Sequence, residues 1–252
     1  MVIFFTKPPM DIPYPYILGN QFAMDWLLNY IKRHYKHIKL VLLDSGVEKL
    51  FKKPNPPKDY PEYYESMWYY NAKRLVQLLG KDRVIVVIPD YPDDYVDVWK
   101  QKHVLWLGNK CNIERTVENI IHYWDKYHKE FNLMVPLQGY YEQPLSVTKS
   151  IVLLNESGIL KQAKYFGVAN LCSTRKSSLI IQTCKHVRGY LQDKWLHVFG
   201  ASLKAIRQLV KRSVINSYDS TAYTFPRTPN RSSCRNERER IDFFIEYLNR
   251  LP

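Results

Sequence analysis

The chain has 252 residues, 46% of them hydrophobic, so it can bury one sizeable core as one large domain or two small ones. No apolar run approaches the roughly 20 residues that a membrane helix needs, and the N-terminus lacks the cationic lead of a signal peptide. Lysine and arginine outnumber aspartate and glutamate by 37 to 24, a net charge of +13. Such a basic chain often binds a polyanion, although charge that serves only solubility is the alternative.

The cysteines indicate a reduced environment. They show no Cys-x-x-Cys spacing, which argues against a disulfide scaffold and against an obvious zinc site. We therefore expect an intracellular, cytoplasmic protein. The four are Cys111, Cys172, Cys184 and Cys234.

Short β-branched runs alternate along the chain with amphipathic stretches of helical length. The predicted strands are VIFF (2–5), IKLVLL (38–43), RVIVVI (83–88), NLMVPL (132–137), YFGVA (165–169), WLHVF (195–199) and VINSY (214–218), with AYTF (222–225) as a weak eighth. The predicted helices cover 21–35, 62–80, 113–130, 144–158, 177–191, 202–212 and 237–251. In the last helix, one face is expected to pack through Ile241, Phe244, Ile245 and Leu248.

Apolar strands that are each followed by a helix predict a parallel sheet covered by helices. Two architectures fit this pattern, a (β/α)8 barrel of the TIM type and a doubly wound sheet. No glycine-rich nucleotide-binding motif opens any helix, which favours the barrel. We predict a single barrel domain over 1–252, with an irregular last strand and a basic C-terminal segment, 227–252.

Polar residues and glycines follow the predicted strands, where barrel enzymes carry their catalytic groups. Asp44 and Ser45 follow the second strand, Asp90 the third, and Asp219 ends the seventh. An isolated aspartate after a strand is commonly a helix cap or a turn residue, but three at one rim indicate a site. Further candidates after the fourth and fifth strands are Gln138, Gly139, Gly167, Val168 and Ala169.

The order of these motifs resembles that of the tRNA-guanine transglycosylases. The matching stretches are DSG at 44–46, Asp90 with its neighbouring prolines, QG at 138–139, the turn at 167–170, H-x-x-G at 197–200 and Asp219 with the PR of 226–227. The resemblance covers roughly 39–227. It implies an enzyme that exchanges guanine in a polynucleotide for a 7-deazaguanine.

The same resemblance assigns roles to the polar residues. It implies that Asp219 is the nucleophile at the sugar C1′ and that Asp44 is the general acid/base. Asp90 and Gln138 would bind the edge of the base, and the residues of 167–170 would approach its ring. The chemistry is reasonable in itself, because a close carboxylate can trap an oxocarbenium-like state and a second carboxyl can move the proton.

The cofactor and the partners follow from where the chain departs from this family. The Cys-x-Cys-x-x-Cys…His zinc motif of the tRNA enzymes is reduced to Cys234, so we expect no zinc or other cofactor. The chain is then most like the 7-deazaguanine DNA transglycosylases, with DNA preferred over tRNA as the polymer. The incoming base would be a 7-deazaguanine such as preQ0. A homodimer is left open, and no membrane partner is expected.

Basic residues cluster in sequence around Asp219 and are the predicted nucleic-acid contacts. They are Lys204, Arg207, Lys211, Arg227, Arg231, Arg235 and Arg238. Two other functions stay open, a catalytically silent partner subunit that binds nucleic acid and a small-molecule barrel enzyme such as a nucleoside hydrolase. His197, inside a predicted strand, is interpreted as a core histidine.

Overall fold

The computed structural model describes residues 1–171, 174, 176–220 and 237–251, and these residues form a (β/α)8 barrel of the TIM type. All neighbouring strands are parallel, and β8 pairs with β1 to close the barrel. The predicted barrel is thereby confirmed over the doubly wound sheet. The strands are β1 Val2–Thr6, β2 Tyr16–Asn20, β3 Leu40–Asp44, β4 Val84–Val87, β5 Asn132–Leu137, β6 Tyr165–Val168, β7 Trp195–Val198 and β8 Ser217–Ser220.

The helices cover the outside of the barrel or shape its loops. They are α1 Met24–His34, α2 Val47–Phe51, α3 Tyr64–Leu79, α4 Val96–Trp99, α5 Asn112–Tyr127, α6 Val147–Glu156, α7 Ile159–Gln162, α8 Ser177–Leu191, α9 Leu203–Lys211 and α10 Glu237–Leu248. Single 3₁₀ turns lie at Gln21–Ala23, Lys81–Arg83 and Pro144–Ser146.

The strand that the sequence pattern missed is β2. Pro13 and Pro15 precede it, and it ends in Gly19 and Asn20, so the segment has the composition of a turn. It nevertheless pairs along its whole length with β3. The predicted second to seventh strands are therefore β3 to β8. The weak strand predicted at 222–225 lies outside the described residues.

Side chains alternate between the barrel interior and the helical layer, as the pleat of a strand requires. The inner cluster consists of Phe4, Leu18, Leu42, Ile85, Val87, Met134 and Phe199. The larger outer cluster fills the space between strands and helices. Inward positions recur every second residue, so Asp44 shares the inward face with Leu42, and Asp219 shares it with Ser217. Because the strands are parallel and both aspartates lie near strand carboxyl ends, they lie at the same open end of the barrel.

The C-terminal helix α10 covers β1. Residues 7–15 connect β1 to β2 without a helix, and the rings of Phe244 and Tyr247 pack there against Phe5 at centroid distances of 4.9 and 5.8 Å. The predicted packing face was wrong at Ile245, which is 47% exposed, because the helix is rotated to bury Tyr247. None of the helices in the described part of the chain combines the length and apolar character that crossing a membrane requires.

Candidate active site

A cavity of about 320 Å³ opens at the carboxyl ends of the strands, a volume typical of small-molecule sites. Its wall includes the side chains of Asp44, Asp90 and Asp219, which come from β3, the loop after β4, and β8. The three carboxylates expected at one rim thus surround one cavity. The apolar part of its lining comes from the inner cluster, through Leu18, Val87 and Phe199.

Asp44 ends β3, and its carboxylate is held by two donors. Asn20 Nδ2 lies 3.4 Å from Asp44 Oδ2, and the backbone N–H of Gly46 donates to the same oxygen at 3.2 Å. Gly46 has a φ of 72°, a left-handed conformation that suits glycine and turns its N–H back toward Asp44. Burial, then the charge of Asp219, then that of Asp90, raise the pKa of Asp44 to about 7. Asp44 can therefore hold and release a proton near neutral pH.

Asp90 is paired with Gln138 at the cavity wall. The Gln138 Nε2 group donates a hydrogen bond to Asp90 Oδ2. Burial raises the pKa of Asp90 to about 6, although the bond from Gln138 opposes that rise. Gln138 is fully buried at the end of β5 and is not part of the cavity lining. Its amide therefore orients the Asp90 carboxylate at the cavity wall.

Asp219 lies within β8, beside the turn that follows β7. The Gly200 N–H donates to Asp219 Oδ1 at 3.0 Å, and His197 Nε2 lies 3.4 Å from the same oxygen. Asp219 and Asp44 are near enough for the charge of one to raise the pKa of the other. This arrangement combines a fixed carboxylate with a second carboxyl that can carry a proton.

His197 is buried in the core, as predicted, and it lies beside Asp219. Its ring is fully buried inside the barrel, with Nδ1 2.9 Å from the Ser217 hydroxyl oxygen. The Trp195 indole N–H donates to the same oxygen at 2.8 Å, so the Ser217 hydroxyl contacts both rings. His197 Nε2, 3.4 Å from Asp219 Oδ1, makes no hydrogen bond among the described residues. The sequence offered no sign of this pairing, because Asp219 lies 22 residues further on.

The remaining predicted base contacts divide into two groups. Ser45 and Ala169 line the cavity. Gly167 instead makes room for a neighbouring ring, because a Cβ there would lie 2.5 Å from Phe199 Cε2.

Two other predicted contacts are outside the cavity lining. A Cβ on Gly139 would lie 2.5 Å from Asn170 Nδ2, so the missing side chain makes room for that amide. Val168 points away from the barrel interior into the outer cluster. Neither residue, as the structure places it, presents a side-chain surface to a base in the cavity.

Of the predicted nucleic-acid contacts that the structure describes, none is part of the cavity lining. Lys204, Arg207 and Lys211 are exposed along one side of α9, and one guanidinium N–H of Arg207 donates to the carbonyl of Arg250 at 3.1 Å. Arg238 is exposed on α10. Outside the described residues lie Arg227, Arg231 and Arg235.

Asn20, Lys52 and Tyr95 are among the cavity residues that the sequence analysis missed. Asn20 was hidden by the failure to recognise β2, and Lys52 and Tyr95 lie in loops whose paths the pattern does not specify. Lys52 is the one basic side chain in the lining among described residues, with its Nζ 5.8 Å from the Tyr95 ring centroid. A polar residue directly before a helix was the only available signal for Asn20.

The described residues contain no cluster of three or more His, Cys, Asp or Glu side chains suited to a metal ion. Cys111 and Cys184 are free and buried, whereas Cys234 lies outside the described residues, so the expected lack of zinc stays a prediction. No protein-family model and no curated protein matches the chain significantly.

Proposed function

We propose that this barrel is a base-exchange transglycosylase, a pentosyltransferase that replaces guanine in a polynucleotide by a 7-deazaguanine. DNA is the preferred polymer, and tRNA is the second candidate. The observation that carries the proposal is the pair Asp44 and Asp219 in one cavity, with the pKa of Asp44 raised to about 7. When the surroundings of two neighbouring carboxyl groups favour the proton on one of them, that group can act as the acid and the other as the nucleophile.

Each carboxyl has one task in the proposed reaction. An oxygen of Asp219 attacks C1′ of the target nucleotide as the bond from C1′ to the guanine nitrogen breaks, and the Asp44 proton passes to the departing base. The incoming base then gives a proton to Asp44 and attacks C1′, which releases Asp219. The oxocarbenium-like charge near C1′ is stabilised by the adjacent carboxylate, as in retaining glycosidases.

The cavity wall suits a flat, polar base. Asp90, held by Gln138, can accept hydrogen bonds from the amide N–H and amino groups that guanine and 7-deazaguanines share. Apolar contact with the ring faces would come from Leu18, Val87 and Phe199. The resemblance to the transglycosylases in the order of the DSG, QG and H-x-x-G motifs supports the same assignment.

Incubation with radiolabelled guanine and either duplex DNA or tRNA tests this proposal directly. The expected result is label in the polymer, which is retained after denaturation and lost when Asp219 is replaced by Asn. Label in DNA alone, or in tRNA alone, decides the polymer. No label in either polymer, together with tight binding of both, would replace the proposal by a silent binding subunit.

A further inference from the structure

One edge of the cavity mouth combines an exposed aromatic ring with lysines. Phe22 follows β2 at the mouth and is 37% exposed. Its ring packs against the backbone of Gly46, where an added Cβ would lie 2.8 Å from Phe22 Cδ2. The helix α2 follows Gly46 and ends directly before Lys52, which lines the cavity. We call this edge, which consists of Phe22 and residues 47–58, the aromatic–lysine rim.

The aromatic–lysine rim is strongly positive. Residues 47–58 read VEKLFKKPNPPK, and Glu48 is the one acid among four lysines. Its carboxylate pairs with Lys52 at 2.6 Å, but both partners are exposed, so a phosphate can displace it at little cost. The four basic side chains, all exposed, are Lys49, Lys52, Lys53 and Lys58.

The loop of the rim is pinned to the barrel mouth. Lys58 Nζ donates to the carbonyl of Val104, and the Tyr60 hydroxyl donates to the carbonyl of Asp90. Phe22 is fixed as well, because its N–H donates to Asn20 Oδ1 at 2.9 Å and its ring packs on Tyr64 at 6.3 Å. These contacts present the lysines and the aromatic face in a constant position beside the cavity.

Three carboxylates in the cavity repel a phosphate backbone, so a polynucleotide needs cations close to the entrance. A base can enter the cavity only after it has left its stack, and its neighbours are then exposed and unpaired. An aromatic face beside lysines is the surface that binds such a strand, through stacking and phosphate contacts. On α9, by contrast, none of the three predicted lysine and arginine contacts lines the cavity, and the guanidinium of Arg207 donates to the carbonyl of Arg250.

We infer that the aromatic–lysine rim binds the single strand next to the target nucleotide. Phe22 stacks on a neighbouring base, and Lys49, Lys52 and Lys53 contact its phosphates. This inference rests on the proposed function for the identity of the ligand, but its binding test needs no base exchange. It assigns strand recognition to the β2–β3 side of the mouth.

The test is the binding of the full chain to a fluorescent single-stranded DNA of about 16 nucleotides, followed by anisotropy over a range of salt concentrations. Phe22→Leu keeps apolar packing beside Gly46 but removes the aromatic face. We expect it to weaken binding by at least about fivefold, whereas Phe22→Trp binds as well as the wild type. Tyr70→Leu, at an exposed position of α3, is the matched control.

The lysines are tested by a triple change of Lys49, Lys52 and Lys53 to Gln. Loss of three phosphate contacts should lower the slope of log affinity against log salt by about 2. The control changes Lys36, Lys39 and Lys129 to Gln, which removes the same charge at the opposite end of the barrel and should leave the slope nearly unchanged.

Binding and exchange are read separately. Loss of affinity in the rim variants alone supports the inference, even if no variant exchanges guanine. If Phe22→Leu binds like the wild type and both lysine triples change the slope equally, the inference is overturned, whatever the outcome of the guanine-exchange assay. Unchanged thermal unfolding of Phe22→Leu and Phe22→Trp excludes misfolding as the cause of weaker binding.

Discussion

His197 Nε2 lies 3.4 Å from Asp219 Oδ1 inside the barrel, and the opposite ring nitrogen, Nδ1, is 2.9 Å from the Ser217 hydroxyl oxygen. The ring is surrounded by Phe4 and Phe199, at centroid distances of 5.7 and 4.4 Å. Nδ1 is hydrogen-bonded, whereas Nε2 makes only this longer contact with Asp219. The Gly200 N–H holds the same oxygen of Asp219 at 3.0 Å, with the buried His197 ring beside it.

Replacement of His197 by Leu should slow base exchange by about 10- to 100-fold, because Asp219 loses the group that orients it. His197→Gln, whose amide can still donate to Asp219, should recover most of the rate. Single-turnover formation of the covalent adduct measures the effect, with polynucleotide affinity as the control. A Gln variant as slow as the Leu variant would show that packing, rather than a polar contact with Asp219, is what matters.

Asp219→Asn should abolish base exchange, by about 10³-fold or more, because the amide cannot form the glycosyl-enzyme. Polynucleotide affinity should stay the same or rise, since a negative charge leaves a basic protein. The readout is an adduct that survives denaturing electrophoresis in the wild type and is missing in the variant. Exchange at the wild-type rate would exclude Asp219 as the nucleophile.

The predicted C-terminal cluster is tested by changing Arg231, Arg235 and Arg238 to Ala. If these residues contact phosphates, affinity falls and the salt dependence becomes shallower, because fewer counterions are released on binding. Chemistry on the bound polymer should stay nearly normal. Anisotropy titrations at several salt concentrations measure the first effect, and single-turnover exchange measures the second. An unchanged salt slope would exclude these arginines from the interface.

The barrel and its three aspartates could be predicted from sequence because each depends on local pattern. Apolar runs with a helix after each predict parallel strands, and an aspartate at a strand end needs no knowledge of its neighbours. Asn20 was missed because prolines and glycine disguise β2. The His197–Asp219 pair and the orientation of Gln138 toward Asp90 depend on register and side-chain direction, which a single sequence does not specify.

The raised pKa of Asp44 predicts a pH-dependent penalty on stability. A carboxyl whose folded pKa of about 7 exceeds its ordinary value of 3.8 keeps its proton longer when folded, so stability falls as pH rises from about 4 to 7. Asp44→Asn removes this penalty and should raise the free energy of unfolding at pH 8 by up to about 4 kcal/mol. The gain should vanish near pH 4, where both forms are neutral. Urea unfolding at the two pH values measures it, and an equal gain at both would show that the buried charge of Asp44 is not its cause.

The same proton should shape the activity profile. If protonated Asp44 gives its proton to the leaving base, the rate of single-turnover exchange falls as pH rises through about 7. Asp90→Asn removes a nearby charge that raises the pKa of Asp44, so the midpoint of this fall should move to lower pH. The measurement is adduct formation across the range from pH 5 to 9, roughly two units on either side of that pKa. A rate that is flat across this range would remove Asp44 from the acid role.

Gly167 and Gly189 should respond oppositely to alanine. A Cβ on Gly167 would lie 2.5 Å from the Phe199 ring, so Gly167→Ala should destabilise the fold by about 1–3 kcal/mol and distort the cavity floor. Gly189 lies within α8 with nothing within 4 Å of the added Cβ, so Gly189→Ala should stabilise by about 0.5–1 kcal/mol. Thermal unfolding measures both changes. Adding Phe199→Leu to Gly167→Ala should restore part of the lost stability, because the smaller side chain vacates the space. If the double variant is no more stable than Gly167→Ala alone, the clash with Phe199 is not the reason for glycine at position 167.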